Sequence, residues 1–202
     1  VARLPAVLKQ FRCQFPRVEL IFRPMGNRDD WERQLAEGAT DAALVLIKPF
    51  QPAHLMLEPL LSERILIVTY PEHPLVECGA VTPMHFRAET LLLTEAGCAY
   101  RVLFERLLQN AGVRPGAVLE FHSVEAIKEC TMSGMGIAVL PEIAVRAELA
   151  AGRLVELPCL EPPLTMSTCL AWHKDKWLSP ALRAFLDVTR EVLGEEVAVP
   201  VM

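Results

Sequence analysis

The sequence is short of basic residues. Lys and Arg total 20 against 25 Asp and Glu, a formal net charge of −5. That sign excludes a chain that grips nucleic-acid phosphates over a broad face, and no Lys/Arg run is long enough to form a local patch. No apolar run reaches the roughly 18 residues of a membrane span. The opening VARLPAVLKQ lacks the long apolar core of a signal peptide. Cysteine is present but unpaired in pattern: Cys13, Cys78, Cys98, Cys130, Cys159 and Cys169 contain no C-x-x-C pair, which is not zinc spacing. A chain of 202 residues has no need of a disulfide scaffold, so a reducing cytoplasm is expected. The histidines (His54, His73, His85, His122 and His173) form no i,i+4 pair and no H-E-x-x-H, and G-x-S-x-G is missing as well. Nothing in the sequence itself brings a nucleophile, a base and an orienting partner together. No catalytic residue, metal or cofactor is therefore expected, and the chain reads as a non-enzyme.

What is present is a large apolar fraction, 52% of residues, enough for a substantial core. Residues 3–15 place Leu4, Val7, Leu8, Phe11 and Phe15 on one helical stripe that Pro16 ends. VELIFRP (18–24) alternates like a strand. Asn27 is placed to cap a helix with Asp29 and Asp30 in its first turn, Trp31 and Leu35 inward, and Gly38 at its close. DAALVLI (41–47) reads as a strand covered on both faces. After a loop with Pro49 and Pro52, ERILIVTY (63–70) predicts another strand. The pattern then restarts: a strand near 90–94, a helix near 99–111, a strand at 117–121, a helix near 124–133 and a strand at 136–140. Pro141 fits the first turn of a further helix ending before Gly152. Strands at 153–158 and 164–172 follow, then a last helix from Ser179-Pro180 to Gly194.

Two α/β units in series, with a final strand and helix left over, predict two lobes joined by extended crossings near 68–72 and 160–168. A cleft between such lobes, at the carboxyl ends of strands, is a usual place for a small ligand. Two stretches are candidates for more than structure. TEAGCAYR (94–101) opens a helix whose free N–H groups suit an anion, and Arg101 adds either a bidentate donor or a solvated helix-face charge. SGMGIAVLP (133–141) offers either a C-cap glycine, Gly134, with a close-packing glycine, Gly136, or a backbone ledge for a ligand. Ser123 in FHSVEAI is an N-cap.

The order of LPAVLKQFRCQFPRVELIFRPMGN, LAEGATDAALVL, LLSERILIVTYPEHPL, SVEAIKECTMSGMGIAVLP and AGRLVELP resembles the effector-binding domain of LysR-type transcriptional regulators, over nearly the whole chain. The resemblance implies a two-lobed type-2 periplasmic-binding-protein-like α/β fold. Each lobe is a mixed, mostly parallel sheet flanked by helices, and two crossover strands join them. Lobe I would hold residues 1–69 and 165–202 with its first strand missing, and lobe II residues 70–164. The chain opens inside a helical pattern without Met, so a fragment is expected, with the family's amino-terminal winged helix-turn-helix domain absent.

Family function implies a cytoplasmic sensor that binds a small, anionic metabolite and reaches DNA only through that absent domain. The effector-contacting positions carried over are Met25, Gly26, Asn27, Leu46 to Lys48, Gly97, Cys98, Ala99, Tyr100, Arg101, Met135, Gly136 and Ile137. Side-by-side pairing into a homodimer or homotetramer would use Phe11, Phe22 and Phe121. A solute-binding protein of a transporter is the alternative on fold, and a single-cysteine redox sensor through Cys98 the alternative on chemistry. The peroxide-sensing branch of the family carries a second cysteine about nine residues after the first. Here that stretch is RLLQ, which argues against a two-cysteine switch.

Overall fold

The structure is a computed structural model and describes residues 3–23, 28–157 and 163–198, with residues 195–198 described by backbone alone. The chain divides into two compact units, Val1–Ser62 with Ser167–Met202, and Glu63–Met166.

The first unit packs α1 (Leu4–Gln14) against α6 (Pro180–Ala198). The apolar stripe of α1 dictates this. Val7 and Phe11 are fully buried and meet Leu61, Val188 and Leu193 in one cluster. Phe11 stacks on Phe15 at 5.1 Å between ring centroids and meets the Phe185 ring edge-on at 5.4 Å. A second cluster joins Leu170, Trp172 and Leu186. β1 (Ala43–Ile47) pairs antiparallel with β7 (Thr165–His173), from Ala43 opposite Ala171 to Ile47 opposite Ser167. Arg190 of α6 grips Glu58 through two nitrogens, Nε at 2.9 Å and Nη2 at 2.8 Å, a planar fork suited to a carboxylate. α2 (Arg28–Ala36) buries Trp31 and Leu35 and ends at Gly38, whose φ of +72° is the left-handed cap expected there.

One predicted strand of this unit does not form. Residues 18–21 alternate, with Val18 and Leu20 against the core and Glu19 and Ile21 exposed, but Phe22 and Arg23 are exposed as well, and the segment lies in no strand. Alternation selects a face; a strand also needs a neighbour's backbone to pair with, and no described strand pairs with this segment. β2 instead is longer than expected. It runs unbroken over Leu55–Thr69, through Pro59, and is shared by the two units. α6 also passes through Gly194 to Ala198, because Gly194 does not take the left-handed φ of a helix cap.

In the second unit, β2 pairs antiparallel with β5 (Ile137–Pro141), and its last residues pair with the short β6 (Val155–Glu156). β3 (Thr90–Thr94) lies parallel between β5 and β4 (Ala117–Phe121). The helices α3 (Ala99–Asn110), α4 (Val124–Met132) and α5 (Glu142–Ala150) connect these strands, as parallel pairing requires. Ser123 caps α4, its Oγ accepting from the Ala126 amide at 3.3 Å. Pro141 is the last residue of β5 and the N-cap of α5, one position before the helical turn predicted for it. Lys128 and Glu148, both buried, tie α4 to α5 at 3.0 Å.

Register fixes which ends of the strands meet. Ile65 pairs with Pro141, Leu92 with Ala138, and Thr94 with Phe121. The carboxyl ends of β3, β4 and β5 therefore lie together, beside the point where the chain enters this unit at Glu63. The chain also leaves at that end, the Ile65 amide donating to the Leu164 carbonyl at 2.8 Å.

Cys169 sits in the first unit's strand β7 with no exposed surface, and burial raises its thiol to about 11. The thiolate is the reactive form. A thiol reagent at pH 8 is therefore expected to label exposed Cys13 and spare Cys169 in the folded chain. Peptide mass spectrometry with and without urea reads the difference; equal labelling of both in the folded chain would contradict this burial.

Candidate functional site

The carboxyl end of β3 turns at once into α3. Gly97 makes that turn with φ +89°, and Cys98 is the N-cap, with no side chain capping the helix. The first amides of α3 thus look to an outside acceptor, and the helix dipole adds positive potential there. Thr94, the last residue of β3, is 4% exposed. Its Oγ1 is buried with no hydrogen-bond partner. Tyr100 is also buried, and its phenol is pushed above the ordinary tyrosine range, first by desolvation and then by Cys98. The Thr94 hydroxyl lies near enough to act on that phenol, but the two do not close a hydrogen bond by distance and angle. An unpaired buried hydroxyl is rare and marks a place where something else can bond.

Arg101 is the centre of charge. Its side chain is 11% exposed and makes three bonds. Nε donates to Glu105 one turn along α3 at 2.7 Å. Nη1 donates to the Thr94 carbonyl at 2.5 Å and to Glu120 of β4 at 2.6 Å. Arg101 is therefore not a solvated helix-face charge but a knot joining β3, β4 and α3. Desolvation works against the guanidinium's charge, and the two carboxylates outweigh it and raise its pKa. Arg101 in turn holds the Glu120 carboxyl below its ordinary range, with His122 and the Ala96 amide adding smaller pulls the same way.

The structure brings Gly97, Cys98, Ala99, Tyr100 and Arg101 together with Thr94 and Glu120. It does not bring Met135, Gly136 and Ile137 to them. Ile137 pairs with Leu91, so the glycine turn lies at the amino end of β3, roughly 13 Å along the strand from the α3 turn at 3.3 Å per residue. There Gly134 caps α4 with φ +81°, and Gly136 is packed against the Thr90 carbonyl. Both glycines thus have structural work at that end. Leu46, Ile47 and Lys48 close β1 of the first unit, with Ile47 buried and Lys48 exposed. Met25, Gly26 and Asn27 lie outside the described residues. Of the aromatic contact positions, Phe11 is core at 1% exposure and has no surface to offer a partner, Phe22 is 51% exposed, and Phe121 is half-buried.

The residues that sequence reasoning missed are Thr94 and Glu120. Thr94 stood inside the quoted turn, where a strand ending in a hydroxyl was the only signal. Glu120 looked like any outward charge of an alternating strand. A groove of about 400 Å³ in the first unit is lined by Arg28, Arg33, Phe50 and His54. Its arginines pair with Glu32 and Asp30 at the surface. Among the described residues, no group of His, Cys, Asp and Glu could hold a metal, and no helix is long and apolar enough to cross a membrane.

A family model for the LysR substrate binding domain matches residues 1–194. The HTH-type transcriptional regulator YwqM of Bacillus subtilis (strain 168) is 43% identical over 189 residues, covering 94% of this chain and 64% of that protein. The HTH-type transcriptional regulator CbbR of Xanthobacter flavus is 34% identical over 186 residues, covering 91% of this chain and 55% of the relative. The chain thus spans less than two thirds of the length of these relatives. Among solved structures, the regulatory domain of CcmR from Synechocystis PCC6803, in complex with 2-PG, superposes with a TM-score of 0.82 at 25% identity, covering 94% of this chain and 90% of that one. These relatives are transcriptional regulators or, for CcmR, a regulatory domain.

Proposed function

The chain belongs to the LysR substrate-binding-domain family, and on that premise we propose that it senses a small anionic metabolite on the carboxyl ends of β3 and β4. The observation that carries this reading is the α3 turn: an uncapped helix start follows closely on Thr94, whose buried hydroxyl makes no hydrogen bond, and the Arg101 guanidinium bonds the carbonyl of the same residue. Amides and a guanidinium suit a carboxylate or phosphate, and the hydroxyl suits a second polar group beside it. That the related CcmR domain was solved with 2-PG supports a small ligand. In this reading Gly97 to Arg101 contact the effector. The proposed lobes, residues 1–69 with 165–202 and residues 70–164, differ by a few residues from the two compact units.

Ligand binding would favour one arrangement of the sensor over another and pass that preference to an amino-terminal winged helix-turn-helix domain on promoter DNA. Tight binding alone would shift nothing; the ligand must prefer one state. Assembly as a homodimer or homotetramer, with Phe22 and Phe121 at the contact, belongs to the same proposal.

A thermal-shift screen of small carboxylates and phosphate esters tests it. An effector at a hundred times its dissociation constant stabilises the folded state by about 2.7 kcal/mol, a shift of several degrees. A screen in which neutral sugars shift the melting point and no acid does would overturn the anionic reading.

A further inference from the structure

Arg101, the cation that an anionic effector would seek, already has an acid on it. Glu120 reaches across from the neighbouring strand to Nη1 at 2.6 Å, and the Ala96 amide of the β3–α3 turn also acts on its carboxylate. Glu120 therefore contacts the guanidinium that a ligand carboxylate would be expected to use.

We propose that Glu120 is an internal competitor for the effector's acid group, and so a residue that sets the affinity and selectivity of the site. The inference rests on the reading of this turn as an anion site. The asymmetry of the bonds says which one gives way. The Arg101 side chain is 11% exposed and fixed by Glu105 and the Thr94 carbonyl, whereas the Glu120 side chain is 44% exposed. A released Glu120 has water to return to, while a displaced Arg101 would leave a buried carbonyl unpaired. Binding is then an exchange: the Arg101–Glu120 bond breaks, an Arg101–effector bond forms, and a solvated Glu120 is left on β4. No proton moves, because both acids are ionised at neutral pH.

Such exchange selects among ligands. A weak monoanion gains little over the carboxylate it replaces. A ligand that bonds the guanidinium, the α3 amides and the Thr94 hydroxyl together gains contacts that Glu120 does not make. The competitor thus filters out the simple anions that would otherwise fill the site.

Calorimetric titration of the wild-type chain, Glu120→Gln and Glu105→Gln with glycolate, malonate and inorganic phosphate tests this. If the bond to Glu120 is closed most of the time, removing the competitor tightens binding by about five- to tenfold, the reciprocal of the open fraction. Glu105→Gln removes the same charge without removing the competitor and should change affinity much less. Glu120→Asp, which keeps the charge but shortens the reach, should fall between wild type and Glu120→Gln, and it serves if the amide variant fails to fold. Equal affinity of wild type and Glu120→Gln for an anion that both bind ends the competitor role and leaves the site reading intact. An equal gain in Glu105→Gln would assign the effect to general charge, with the same consequence. If none of the three anions binds even Glu120→Gln, the anion-site reading itself fails, and the competitor with it.

Discussion

Gly136→Ala is expected to destabilise the second unit severely. A Cβ built on Gly136 would lie 2.2 Å from the Thr90 carbonyl oxygen and 2.9 Å from Leu92 Cδ1, and the residue's φ is +151°. The leucine tip could rotate. The carbonyl cannot, because it belongs to β3, the strand paired on both sides within this unit's sheet. Relief would need β3 and β5 to part, breaking the pairing of Leu91 with Ile137. Overpacking of this kind, added to backbone strain, costs about 4 kcal/mol or more, a large share of the roughly 5–15 kcal/mol that holds a domain folded. Gly152→Ala separates the two contributions. Gly152 also has a positive φ, +66°, but nothing lies within 4 Å of its Cβ position. Strain alone should cost about 1–2 kcal/mol there. Urea denaturation followed by circular dichroism, with wild type, Gly152→Ala and Gly136→Ala compared at equal concentration, gives the order. Loss of soluble Gly136→Ala also agrees with the prediction; a midpoint close to that of Gly152→Ala would contradict it.

The same glycine shows where sequence reading reaches its limit. SGMG announces a helix end and a close approach, and the structure has both. What the residues could not say is which end of which strand the turn abuts. That depends on the pairing of Leu91 with Ile137, a contact between residues 46 positions apart whose side chains are ordinary core aliphatics. Local signals served well where the physics is local. Gly38 and Ser123 sit where their caps were read, and Ser179 Oγ accepts from the Leu182 amide at 3.1 Å at the start of α6. The failed strand at 18–23 is the complementary case: its alternation is local and is kept only as far as Ile21, and pairing, which is not local, is not made with any described strand. Glu120 belongs with the glycine. It became a site residue only when parallel pairing set Thr94 beside Phe121 and carried the preceding carboxylate to Arg101. The proposed anion site was therefore half legible. The helix start and its arginine are written in one octapeptide, while the acid that occupies the arginine comes from the next strand.

Arg101→Ala should weaken both the fold and the site, by separable amounts. In the fold it removes three hydrogen bonds from a side chain that is 11% exposed. Two of its partners, Glu105 and Glu120, are 37% and 44% exposed and return to water. Only the Thr94 carbonyl loses a partner it cannot readily replace, so the loss should be about 1–3 kcal/mol, below the 3–5 typical of a broken buried pair. Arg101→Lys keeps the charge, but a single ammonium cannot span an acceptor in its own helix, a strand end and a neighbouring strand, so it should recover less than half of that loss. At the site, either change should lower acid affinity at least about tenfold, the equivalent of 1.4 kcal/mol for a lost charge-assisted bond. The decisive measurement is the cycle with Glu120. If Glu120 acts through Arg101, then Glu120→Gln tightens acid binding in the wild-type background and does nothing in Arg101→Ala, a coupling that pairwise comparison isolates from stability. Persistence of the gain without the arginine would mean that Glu120 repels the ligand directly and that the α3 amides hold the acid unaided.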